Sequence, residues 1–301
     1  MVHDPETAAP VTTLRFGRYA RGLAAVGSDT LVVGEIEEFF VCHRNDWRAS
    51  RSVFLPDGWN VAAVASAAGL VVAVERRTNT AAGVWDIDHW SSPTYAKISE
   101  GVRQLPGPPA PPTRPRRGGA RRGPTGSLAL APDGTWLAVR HGQRLDVVHP
   151  RTWEPLASCE PEAALRMLPS PDGTRLLLLL TRRRARMLDT ATWQVDAGFG
   201  TVEGAERWED IAWSPDSSML ATVANDRAVR VHDSRDWRVL AEFPVDGELS
   251  AITWVTSERA RGGGWARRVL AGLHAGGGAL EMAQRRLQGA GVGARPVWGT
   301  C

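Results

Sequence analysis

The sequence predicts an all-β fold built from repeated four-stranded antiparallel sheets, and three observations carry that prediction. The stretch 210–243, DIAWSPDSSMLATVANDRAVRVHDSRDWRVLAEF, holds four short apolar runs: Ile211–Trp213, Met219–Val223, Val229–Val231 and Val239–Phe243. Turn signals separate the first three, Ser214-Pro215-Asp216-Ser217 and Asn225-Asp226. Tryptophan recurs at Trp47, Trp90, Trp153, Trp193 and Trp237, at intervals of 40–44 residues apart from one of 63. Pro132-Asp133-Gly134, Pro171-Asp172-Gly173 and Pro215-Asp216-Ser217 hold the same place in three consecutive units, where proline presets the turn and the last residue takes positive φ. One such sheet cannot bury both its faces, so the copies must stack radially on one another.

Residues 1–10 are polar and proline-punctuated and read as a loose arm, followed by an isolated alternating run, Val11–Phe16. A first unit comprises Gly22–Val26, Leu31–Ile36, Phe39–Cys42 and Ser50–Leu55; a second comprises Val61–Ala65, Leu70–Val74, Gly83–Ile87 and Tyr95–Ile98. Between Gly101 and Gly126 the composition changes to Pro, Arg and Gly, with no acid from Arg103 to Pro132, and a disordered insertion is expected there because such a segment buries too little apolar area to offset ordering entropy. Units resume at Ser127, at Leu165 and at Asp210. A sixth, Leu249–Val255, Arg268–Leu273 and Ala279–Ala283, lacks a fourth strand before the Gly-rich tail 287–301, so Val11–Phe16 is the expected closing strand of the last sheet. Once the insertion is set aside the period is that of a β-propeller with four strands per blade, six blades being visible and seven possible, in one domain spanning 11–286.

The bulk numbers exclude few partners. The 301 residues carry a formal charge of +3 and 43% hydrophobic residues, ordinary values for a globular chain. Lys97 is the one lysine among 36 basic residues, a bias of composition more than a sign of phosphate binding. The first residues lack the basic flank and apolar run of a secretory signal, and no stretch approaches eighteen apolar residues, so a cytoplasmic protein without a membrane anchor is expected. Cys42, Cys159 and Cys301 are odd in number and far apart, which indicates free thiols.

The period, the Ser-Pro-Asp-Gly type turns, the Asn225-Asp226 turn and the literal Trp85-Asp86 together resemble a WD-repeat β-propeller. The resemblance spans about residues 11–286 apart from the insertion; the Gly-His pair usual in such repeats is absent and Trp-Asp occurs in one unit. It implies a rigid platform whose loops bind other proteins.

Several residue sets invite a sharper reading. Four residues before each periodic tryptophan stands a polar residue, His43, Asp86, His149, Asp189 or Asp233. Equivalent positions in stacked units lie too far apart to share one ion at bonds of about 2 Å, so turn capping is expected instead of a metal site. The periodic tryptophans are expected in the core. Trp59, Trp136, Trp208, Trp265 and Trp298 stand outside the series and are expected to be more exposed, with Trp208, beside Glu209 and Asp210, the favoured partner contact. Arg182, Arg183, Arg184 and Arg186 read as a solvated hairpin tip. Arg114, Arg116, Arg117, Arg121 and Arg122 form a basic arm able to engage an anionic partner, with a plain linker as the alternative, and Pro109–Arg114 matches a polyproline docking string of low specificity.

No phosphate loop, nucleophile elbow, paired-histidine helix or convergent acid pair stands in the sequence, and no cofactor is implied. The expected function is a non-catalytic scaffold, monomeric within a larger assembly, that binds other proteins and neither nucleic acid nor membrane. A lactonase-like propeller hydrolase and an anion-binding role for the arginine-rich insertion are the alternatives.

Overall fold

The computed structural model describes residues 2–3, 10–12, 22–26, 30–34, 38–43, 49–55, 61–75, 81–90, 93–98, 102–107, 128–141, 143–160, 164, 166–180, 183–199, 201–203, 208–244, 249–257, 266–273 and 279–283. Among these, every regular element is a β-strand, and no helix is long and apolar enough to cross a membrane. Six antiparallel sheets follow one another along the chain, each with its strands side by side in sequence order. Sheet 1 is Gly22–Val26, Thr30–Gly34, Glu38–His43 and Ala49–Phe54. Sheet 2 is Val61–Ala67, Leu70–Glu75, Ala81–Asp86, Thr94–Lys97 and Arg103–Leu105. Sheet 3 is Leu128–Leu130, Leu137–His141, Arg144–Val148 and Pro155–Cys159; sheet 4 is Arg166–Pro169, Arg175–Leu179, Arg184–Asp189 and Thr201–Glu203. Sheet 5 is Trp208–Trp213, Met219–Ala224, Ala228–Asp233 and Val239–Pro244, and sheet 6 is Leu249–Ser257, Ala266–Leu273 and Ala279–Ala283.

Three expectations change. Residues 1–10 are not wholly a loose arm, because Val2–His3 pairs with Pro10–Thr12 in a two-stranded sheet. Pro10 and Thr12 therefore have near partners in the chain, which cost less loop-closure entropy than distant ones; among the described residues sheet 6 has three strands, and residues 13–16 lie outside the described residues. The insertion also starts later than expected, since Arg103–Leu105 adds a fifth strand to sheet 2, pairing Tyr95 with Leu105 and Lys97 with Arg103. The prolines that break ladder pairing begin only at Pro106. Finally, Arg184 and Arg186 lie on a strand and are half-buried, leaving Arg183 as the exposed member, and Arg182 lies outside the described residues.

The chain divides into two compact units, 14–169 with 190–193, and 1–13 with 170–189 and 194–301. In the first unit, sheet 2 is buried on both faces. Val71, Ala73, Ala81, Trp85 and Tyr95 pack against Val32, Phe39, Val41 and Val53 of sheet 1. The alternate residues Leu70, Val72, Ala82, Val84 and Ala96 pack against Leu128, Leu130, Leu137, Val139 and Val148 of sheet 3. A strand with both faces covered reads as a continuous apolar run, and Leu70–Val74 is one. At Gly83 the backbone lies against the ring of Trp85, so close that a Cβ there would fall 2.5 Å from Cη2. Ala68 and Gly69 both take positive φ, 48° and 73°, as a two-residue hairpin turn requires.

In the second unit, sheet 5 is likewise covered on both sides. Met219, Ala221, Val223, Val229 and Val231 face Ile252 and Trp254 of sheet 6. On its other face Trp237 meets Phe199 at 5.4 Å, Trp208 at 5.2 Å and His232 at 4.4 Å between ring centroids. His232 is buried and held by Thr222 Oγ1 at 3.1 Å and the Trp237 carbonyl at 3.1 Å. Arg175 stands over the Trp213 ring at 5.3 Å and donates to the carbonyls of Ser234 (2.7 Å) and Ser217 (3.0 Å), fastening sheet 4 to the turns of sheet 5.

The repeated turns are built alike. Gly134, Gly173 and Ser217 take φ of 74°, 73° and 61°, so the expected positive-φ position is met, by serine in the third case. The preceding aspartate accepts from the residue two further on: Asp133 from Thr135 at 3.0 Å, Asp172 from Thr174 at 3.1 Å, Asp216 from Ser218 at 3.4 Å. The periodic tryptophans Trp153, Trp193 and Trp237 occupy the turn after the third strand of their sheets, at φ of 60°, 58° and 61°. Their rings are the reason such a strained position persists: Trp153 is buried, and half-buried Trp193 stacks edge-on to Trp136 at 5.2 Å.

Candidate interaction groove

The polar residues preceding the tryptophans cap their own turns. Asp86 accepts from the Asp88 N–H at 2.9 Å, His149 Nδ1 from the Thr152 N–H at 3.3 Å, and Asp233 from the Arg235 N–H at 2.9 Å. The Arg235 side chain and backbone bonds hold Asp233 below the usual carboxylate range against the opposing pull of burial. Asp86 also takes Arg151 Nη1 at 2.7 Å, joining the corresponding turns of sheets 2 and 3. His43 lies beside Thr30, Nδ1 to Oγ1 3.1 Å, across a strand pair. Asp86, His149 and Asp233 are thus committed to the backbone around them, and His43 to a side chain across the strand pair. Among the described residues no three His, Cys, Asp or Glu side chains are grouped to hold a metal ion.

The expected exposure of Trp208, the favoured partner contact with Glu209 and Asp210, is corrected. Trp208 is 7% exposed and belongs to the strand Trp208–Trp213, where a bulge at Glu209 sets Trp208 opposite Ala224 and Asp210 opposite Val223. The extra residue moves Trp208 onto the same face as buried Ile211, against Trp237. The Asp210 carboxylate accepts from the backbone of Ile211 at 2.9 Å and of Ile252 at 3.0 Å, tying sheet 5 to sheet 6. Glu209 is half-buried. Trp136, also expected to be exposed, is 7% exposed. Trp59, Trp265 and Trp298, and Arg114, Arg116, Arg117, Arg121 and Arg122, lie outside the described residues.

The structure brings together a different set. Between the outer parts of sheets 2 and 3 opens a groove of about 430 Å³ lined by Val102 and Arg103 on one side and by strands Arg144–Val148 and Pro155–Cys159 on the other. Val102, Val147, Val148, Pro155, Leu156 and Ala157 supply its apolar lining, and Leu156 stays 52% exposed. Asp146 lies buried beneath Arg144, whose Nε donates to it at 2.7 Å. That bond and the charge of Asp146 raise the Arg144 guanidinium above its ordinary range, while burial, and then the charge of Asp146, pushes up the thiol of neighbouring Cys159. Arg103 is exposed and has no hydrogen-bond or ion-pair partner among the described residues. Nothing in the sequence marked this set, because Arg103 falls in a stretch that reads as linker and Leu156 in an ordinary outer strand.

The comparison of structures decides the fold. The chain is similar to the β-propeller domain of Myceliophteria thermophila Cps50 (Swd1), with a TM-score of 0.63 and 14% sequence identity over 94% of this chain and 89% of that one. This chain is a β-propeller. Its sheets are blades, as the WD-repeat resemblance implies. No family model matches the sequence, and no curated protein matches it. At 14% identity the likeness speaks for the fold alone.

Proposed function

We propose that this propeller is a non-catalytic scaffold for protein–protein interaction, with residues 11–286 acting as one six-bladed platform in the cytoplasm. The observation that supports the reading most directly is the use made of the polar groups. Asp86, Asp133, Asp172, Asp210, Asp216 and Asp233 bond to turn or strand backbone, which stiffens the blades and withdraws those carboxylates from acid–base work. A stiff platform with concave surface between blades suits recognition, because little conformational entropy is lost on binding. The test is capture of the tagged protein from its native cell after mild crosslinking, followed by measurement of the mass of the purified complex. A stoichiometric complex with another protein supports the scaffold; an isolated monomer that hydrolyses lactones or esters with turnover refutes it.

A further inference from the structure

We infer that the groove between blades 2 and 3 docks an extended acidic segment of a partner protein, a proposal that rests on the scaffold reading and names the chemistry of its partner.

The groove combines an apolar floor with guanidinium donors that the protein leaves unspent. Pro155 and Ala157 cannot hydrogen-bond through their side chains, and Leu156 holds 52% of its surface open to solvent above the buried Val147 and Val148. Two arginines border this surface. Arg144 uses its Nε on Asp146, and its two terminal amino groups carry no hydrogen bond among the described residues. Arg103 has no partner there at all. A guanidinium fork binds a carboxylate through two parallel bonds, so side-chain carboxylates are the groups these donors fit. Asp146 lies in the groove, and Glu160 acts on Arg144 from its neighbourhood, but Asp146 is already bonded and no acid occurs in the sequence from Arg103 to Pro132.

The shape of the groove selects an extended chain. It runs beside Arg103–Leu105 and Pro155–Cys159, the outermost strands of their sheets. In an extended segment alternate side chains point the same way, so acidic residues can meet Arg103 and Arg144 while the residues between them take other directions. A single-stranded nucleic acid is the less favoured occupant, because among the described residues no aromatic side chain lines the groove to stack a base.

The probe is a fluorescein-labelled six-residue peptide of alternating glutamate and valine, read by fluorescence anisotropy on the full chain. A matched lysine–valine peptide and a thymidine hexanucleotide serve as controls. The expected result is saturable binding of the glutamate peptide alone, weakened about tenfold or more by Arg103→Glu. Arg103 is exposed and unpartnered, so that variant should keep the melting temperature of the parent. Leu156→Asp, a second exposed position on the floor, should weaken binding as well. Absent saturable binding, equal affinity for parent and both variants, or tighter binding of the oligonucleotide would each overturn the proposal. The two readings fail separately: if partner capture persists undiminished with Arg103→Glu, the scaffold stands and the groove is wrong, whereas a parent protein that captures nothing removes the scaffold itself.

Discussion

Replacing Gly83 with alanine tests how tightly blades 1 and 2 are matched. A Cβ at this position would lie 2.5 Å from Trp85 Cη2, 2.7 Å from Cζ3 and 3.2 Å from Cζ2. The ring has little room to withdraw, because Trp85 is 1% exposed and meets Phe39 edge-on at 5.0 Å and Tyr95 edge-on at 5.9 Å. Overpacking a closed core costs about 1–3 kcal/mol, and each aromatic pair pushed off its geometry forfeits up to about 1 kcal/mol. Against this, alanine restricts the unfolded chain and returns about 0.4–1 kcal/mol. The net expectation is a loss of about 2 kcal/mol, which for a chain of 301 residues lowers the melting temperature by roughly 3 °C. Calorimetry and near-ultraviolet circular dichroism measure it, the latter reporting the displaced indole. The clash requires the indole, so in a Trp85→Leu background Gly83→Ala should cost less than about 0.5 kcal/mol. A single variant that melts within 1 °C of the parent, or an equal cost in both backgrounds, would refute the reasoning.

Arg175→Ala should lower stability by about 1–3 kcal/mol, since it removes the bonds to the Ser217 and Ser234 carbonyls and the cover over Trp213; half-exposure keeps the figure below that of a fully buried cation. Urea titration should show a lower midpoint with an unchanged slope. His232 supplies a pH dependence: burial, reinforced by Arg230 and only partly opposed by the Trp237 carbonyl and Glu242, holds its pKa below the usual 6.5, so the unfolded chain binds a proton the folded one refuses. Stability is therefore full above about pH 6.5 and falls as pH drops through that value, a slope that His232→Phe should flatten. Ala68→Asn should raise stability by about 0.5–1 kcal/mol because asparagine tolerates the φ of 48° better, read as a higher melting temperature.

The blades were legible in the sequence because each strand advertises itself twice, by an apolar run and by the turn that ends it. Thus Gly22–Val26, Leu70–Glu75 and Met219–Ala224 lie within a residue or two of where the pattern sets them. The turn caps at Asp133, Asp172 and Asp233 were legible for the same reason, as their partners are two residues away. What escaped depended on register. The bulge at Glu209 reverses the side on which Trp208 lies, and no apolar alternation encodes a single inserted residue. The groove escaped more completely: Arg103 and Leu156 are brought together by two blades stacking, and their separation in the sequence carries no period.

The same contrast bears on where the proposed docking chemistry lies. A side chain whose role repeats from blade to blade is tied to its own turn, so its donors and acceptors are satisfied before any partner arrives. Asp172 illustrates this: burial alone would raise its pKa, yet bonds from Ser170, Thr174 and Ser217 more than compensate and hold it below the usual range. Releasing such a carboxylate to a ligand would unmake the turn. Among the described residues Arg103 belongs to a fifth strand that blade 2 alone has, owes nothing to the repeat and keeps its donors free. On the docking proposal, recognition comes from departures of this kind, because a surface repeated from one blade to the next offers a partner no unique register.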